Sequence, residues 1–170
     1  MRGNIAVRYG ILASIVFIVW VMAEHALGLN TVRLGVGEKT RMASAFVFYF
    51  FVVLCIRVRK RHSESGMTFA EGMRTGALMV VVYGALTALW LAIYQHFINP
   101  DMLQLMLQYT EQKLSTQNAT SEEIIKATEE INMIYSGKAS SYIFYFIFSS
   151  AVGCIIALIA SFVFKTRTKE

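Results

Sequence analysis

From Tyr142 to Phe164 the chain runs 23 residues without a single charge. An α-helix needs about 20 apolar residues to cross the hydrocarbon core of a bilayer, so this run can span with some tilt. Within lipid each backbone N–H and C=O must find its partner inside the segment, so such a run is helical. It has company. An apolar stretch from about Ile5, strongest between Ile11 and Ala23, opens the chain, and another leads from Phe69 to Tyr94. A shorter one, Met42 to Ile56, is bracketed by Arg41 and Arg57, whose long stems extend its apolar length by snorkelling. The expected spans are about 5–29, 40–58, 69–97 and 141–164, with the second the shortest. The whole of 1–170 is expected to form a single membrane domain.

Composition agrees. Of the 170 residues 56% are hydrophobic and only 16% charged, too little charge to coat a water-facing globule of this size. The net charge of +5 does not point to nucleic acid, because the basic residues stand just beyond the apolar runs. Arg2 and Arg8 before the first run resemble the start of a signal peptide, but Ala23-Glu24-His25-Ala26 is a poor cleavage site and more apolar helices follow. Counting basic residues orients the chain. Arg2, Arg8, Arg57, Arg59, Lys60, Arg61, Arg74, Lys165, Arg167 and Lys169 fall on one side. Arg33, Lys39, Arg41, Lys113, Lys126 and Lys138 fall on the other. The richer side is expected to be cytoplasmic and to hold both termini.

Helix boundaries are specified locally. Thr68-Phe69-Ala70-Glu71 and Thr120-Ser121-Glu122-Glu123 are capping boxes, each placing a hydroxyl and a carboxylate on reciprocal backbone donors. Asn99 is expected to cap a helix beginning at Pro100, with Met102, Leu105, Met106 and Tyr109 on its apolar face. Ser115 to Ala119 should break that helix. Ile124, Ala127, Thr128, Ile131 and Ile134 then stripe a second, and Gly137 suits its left-handed end. Residues 98–139 therefore read as an extracytoplasmic helical hairpin, acidic through Asp101, Glu111, Glu122, Glu123, Glu129 and Glu130. The fold class is an all-α integral membrane protein: four transmembrane helices, with this hairpin between the third and fourth.

Two stretches resemble a known family. Met67 to Gly76 is similar to the entry to the third helix in the bacterial four-pass family catalogued as domain of unknown function 4199. Phe97-Ile98-Asn99-Pro100-Asp101 is similar to that family's exit, and Leu103–Lys126 to its charged insertion. The resemblance implies a bacterial inner-membrane protein and carries no catalytic residues.

Chemistry is sparse. Glu24, His25, Gln95 and His96 form the one polar layer near membrane depth, at the ends of the first and third spans. Ionisable groups there are costly and therefore candidates for function. Glu24 paired with His96 would bind a proton or cation. The plainer expectation is a wet headgroup boundary, with Trp20, Trp90 and Tyr94 as belt residues and only one of Glu24 and His25 facing inward. No spacing converges three metal ligands, no nucleophile has a base beside it, and Cys55 and Cys154 read as small buried hydrophobes. No cofactor, metal or catalytic residue is expected, nor is an enzyme. Gly72, Gly76, Gly84 and Ala88, with Gly153 and Ala157, form small-residue ridges that let helices approach closely, within one chain or in a homo-oligomer. The expected function is that of a structural or accessory membrane component, with lipid around it and a protein partner on the 98–139 hairpin. The alternative is a small oligomeric transporter or channel for ions or solutes, because four helices leave little room for a pathway in one copy.

Overall fold

The structure is a computed structural model that describes residues 4–63 and 66–166. Arg2, Arg167 and Lys169, which enter the charge count, lie outside the described residues. The described chain is helical: α1 (Ile5–Ala26), α2 (Leu34–Arg61), α3 (Phe69–Ile93), α4 (Met102–Thr116), α5 (Ser121–Tyr135) and α6 (Ala139–Phe164). A π-helical turn, Tyr94–Ile98, extends α3. Four helices, α1, α2, α3 with its extension, and α6, are long and apolar enough to cross a membrane. Their outward faces suit lipid. Ile15 and Val19 on α1, Phe46 and Phe50 on α2, Leu89 on α3, and Ile147 and Phe162 on α6 are all exposed, and a water-facing protein rarely tolerates so large an apolar surface.

Helix α3 is central and packs on α1, α2 and α6. Its small residues allow this. A Cβ added at Gly76 would sit 2.5 Å from that of Ala157, and one at Gly72 would sit 2.8 Å from Ser161 Oγ. At Gly153 of α6 it would lie 2.7 Å from the Phe48 ring and from Val80. Gly84 faces Phe146 of α6, and Ala88 is half-buried. The glycines offered for close helix approach are thus taken up inside one chain.

Two capping boxes open α3 and α5, with Thr68 accepting from the Glu71 N–H and Thr120 from the Glu123 N–H. At the far end of α5, Gly137 has φ +69°, and in the turn after α4 Asn118 reaches φ 56°.

The second helix departs from expectation. It is not short: it begins at Leu34 and runs 28 residues. Gly35, Gly37, Glu38, Lys39, Thr40 and Arg41 lower the local hydropathy, so the apolar run alone misses two turns. Those turns hold because their polar groups find partners elsewhere. Glu38 receives Lys113 Nζ at 2.8 Å and the Tyr109 hydroxyl at 3.1 Å, both from α4. Asn99 departs too. It does not cap a helix from Pro100; α4 starts at Met102 after Asp101, and Asp101 makes no side-chain capping bond. The Asn99 amide is used across the fold instead, donating to the Asn30 carbonyl at 3.1 Å.

Packing is concentrated in two clusters. One joins Val52, Cys55, Ile56, Met79, Val80 and Ala157 toward the end that carries the connection between α2 and α3. The other joins Val21, Leu34, Tyr94, Met102 and Met106, where α4 closes over the opposite end.

Candidate functional site

Between these two clusters the bundle holds a partly open cavity of about 260 Å³. Every helix contributes to its wall. Phe17 comes from α1, Phe48 and Tyr49 from α2, Tyr83 and Leu91 from α3, and Met102 from α4. Tyr135 comes from α5, and Tyr145, Phe148 and Ser149 from α6. Nine of its 22 lining residues are aromatic. Phe48 stacks on Tyr83 with ring centres 4.1 Å apart, and Phe17 meets the same tyrosine edge-on at 6.1 Å. Stacked and edge-on ring pairs hold each other's orientation, so the wall is shaped before anything enters.

At one end the lining turns polar, with Glu24, Asn30, Arg41 and Gln95. Glu24 sits in the last turn of α1 and is 4% exposed. Its Oε1 accepts from Trp20 Nε1 at 2.8 Å, one turn back on the same helix. Asn30 lies in the α1–α2 connection and is 2% exposed. Its amide reaches Glu24 Oε2 at 3.5 Å, while its Oδ1 accepts from Arg41 Nη1 at 2.8 Å. Arg41 also directs Nη2 toward the Met106 sulfur at 3.7 Å. A carboxylate and a guanidinium are therefore joined through one amide rather than to each other.

The connection that carries Asn30 is tightly built. Gly28 holds φ +71°, and the N–H groups of Val32 and Arg33 both bond to its carbonyl. Gly37, in the first turn of α2, presses against the Leu29 carbonyl so closely that no Cβ fits there.

The π-helical turn shapes the other side. The Asn99 N–H bonds to the Tyr94 carbonyl at 2.8 Å, a spacing of five residues rather than four. Such turns insert one extra residue and often lie at functional sites. Tyr94 is fully buried, its hydroxyl 3.0 Å from His25 Nδ1 and 3.4 Å from Asn99 Nδ2. Gln95 accepts from the Tyr142 hydroxyl at 3.0 Å.

The four polar residues singled out by sequence are thus not one cluster. Glu24 and His96 do not pair: His96 is exposed, with Nδ1 2.9 Å from the Ala92 carbonyl and 3.3 Å from the Tyr142 hydroxyl. Glu24 is 4% exposed rather than open to solvent, and Tyr94 is buried rather than on the outer surface of the bundle. Glu24 and His25 both engage buried partners, because one turns to the connection and the other to α3. The bundle contains its cavity within a single copy. Asn30, Arg41 and the tyrosines carry no signal in the sequence that marks them as site residues. Asn30 has no sequence signature, and Arg41 looked like an interfacial anchor.

A family model described as "Protein of unknown function (DUF4199)" matches residues 8–166, nearly the whole chain. The chain belongs to this family. No curated protein and no solved structure matches it. The DUF4199 match takes in α1 from Arg8 onward, all of the other five helices and every residue of the cavity wall, so the site lies wholly within the family domain. Among the described residues of this DUF4199 chain, no three His, Cys, Asp or Glu side chains converge as they would around a metal ion.

Proposed function

We propose that this DUF4199 protein is a non-enzymatic accessory component of the bacterial cytoplasmic membrane whose task is to hold a small amphipathic molecule within its helical bundle. Ligand cavities are typically concave, mostly apolar and furnished with a few converging polar groups. The observation that carries the reading is the 260 Å³ cavity, aromatic along its wall, with the nine-tenths-buried Glu24 and Asn30 at one end. In this reading both termini are cytoplasmic. Helices α4 and α5 face the other side and roof the polar end of the cavity, and the exposed acidic and apolar residues of α5 are available to a protein partner.

The test is ligand-induced stabilisation of the full chain in lipid nanodiscs. A panel of small branched and aromatic amphiphiles should include compounds that raise the melting midpoint saturably. Ala45→Phe fills the cavity from α2 and is expected to abolish that rise. Stabilisation that survives the filling substitution would place binding elsewhere and overturn the reading.

A second reading, solute or proton transport, draws on one observation. The π-helical turn at Tyr94–Ile98 lies beside buried polar groups, and such turns within spanning helices are frequent at functional sites. Flux in proteoliposomes that Glu24→Gln changes would bring this reading ahead of the first.

A further inference from the structure

The polar end of the cavity carries two opposite charges that do not meet. Among the described residues neither Glu24 nor Arg41 forms an ion pair. Glu24 has one short hydrogen bond, from Trp20, and one at the 3.5 Å limit, from Asn30. Arg41 has five N–H donors and spends two, one of them on a thioether, which is a weak acceptor. Glu24 is 4% exposed and Arg41 half-buried, and a charge withdrawn from water is costly unless paired and hydrogen-bonded. Both side chains line the same cavity and retain bonding capacity toward it.

A ligand of single charge would satisfy one group, leave the other unmatched and add net charge to a low-dielectric space. A ligand carrying both signs satisfies both at no net charge. Size narrows the choice further. At 260 Å³ the cavity suits a compact head with a short apolar body and does not take in a two-tailed phospholipid whole. We propose that the cavity binds a compact zwitterion of the chemistry of an apolar α-amino acid. Its ammonium faces Glu24, its carboxylate faces Arg41, and its apolar body lies against Phe48, Tyr83 and Tyr145. This rests on the cavity reading above and adds the ligand's charge and size.

Trp20 is a built-in reporter, because its indole bonds to the carboxylate that would receive the ammonium. The chain has two tryptophans, so Trp90→Phe leaves Trp20 as the sole one. That full-length variant in nanodiscs is titrated with leucine, 3-methylbutylamine, 4-methylpentanoate, 4-methylpentan-1-ol and a lysophosphatidylethanolamine. Leucine should shift the emission saturably and bind at least tenfold more tightly than the amine, acid or alcohol. In Glu24→Gln the affinity for leucine should fall to that for the acid, and in Arg41→Met to that for the amine. If either charge variant fails to fold, Ser149→Phe provides the check: it keeps both charges, fills the cavity from α6 and should abolish the leucine response.

Equal affinity for leucine and the alcohol would overturn the zwitterion while leaving the cavity reading intact. A response to the lysolipid and not to leucine would overturn the compact ligand and assign the same charge chemistry to a lipid headgroup. Silence from all five compounds would overturn both.

Discussion

Asn30 illustrates how much of this site depends on one uncharged side chain. Its side chain accepts from Arg41 and reaches Glu24, and its backbone carbonyl accepts from Asn99, so α1, α2 and the segment after α3 meet at one residue. Removing one partner from a buried polar network costs about 1–3 kcal/mol per group left unsatisfied. Asn30→Ala is therefore expected to lower the melting midpoint of the detergent-solubilised protein, and to do so more than Asn132→Ala on the exposed face of α5. Equal midpoints for the two variants would show that the bridge contributes nothing. None of this is visible from composition. Asparagine in a connecting segment reads as turn chemistry, and its partners lie 6, 11 and 69 positions away. Glu24 and Gln95 could be flagged because polarity near a span is conspicuous. The partner of Gln95 could not, because Tyr142 reaches it only through the packing of α3 on α6.

Among the helices, what was legible was local. The box at Thr120 and Glu123 is set by residues three apart, and the structure contains both of its hydrogen bonds. The start of α2 was illegible for the opposite reason. Glu38 and Arg41 look like the end of a span until Lys113, Tyr109 and Asn30 are brought to them by packing. The box at α5 also makes a pH prediction. The Thr120 backbone N–H, more than its hydroxyl, holds the Glu123 carboxyl below its ordinary 4.5. A carboxyl depressed on folding stabilises above its unfolded value and loses that contribution as pH falls through its folded one. Exchange protection at the start of α5, corrected for intrinsic rates, should thus hold at pH 6 and fall below about pH 4.5. In Thr120→Ala it should already be low at pH 6. Protection unchanged down to pH 3 would mean the carboxylate plays no part in the cap.

For the molecule as a whole, the bundle is packed at both ends and open in the middle. One cluster lies around Ile56 and Met79, the other around Tyr94 and Met106, and the cavity separates them. Span counting predicts such a bundle but not its hollow, since aromatic residues in a spanning helix look the same whether they fill space or line it. The orientation proposed from the basic residues makes a simple forecast. In a chain stripped of Cys55 and Cys154, a cysteine at Thr120 should react with a membrane-impermeant maleimide from outside intact spheroplasts, whereas one at His62 should react only after lysis. The reverse pattern would invert the bundle and put the polar end of the cavity toward the cytoplasm. The wide turn at Tyr94–Ile98 also has a consequence for how the chain can vary in length. It accommodates one residue more than a regular helix would, and each residue in a regular helix advances the azimuth by about 100°. Deleting any one of the five would close the wide turn to an ordinary one and end the five-residue bond that holds Asn99 to Tyr94. The turn at 117–120, with Gln117, Asn118 and Thr120 facing solvent, carries no such constraint. Insertions and deletions should therefore accumulate between α4 and α5, while the segment that ends α3 keeps a fixed number of residues.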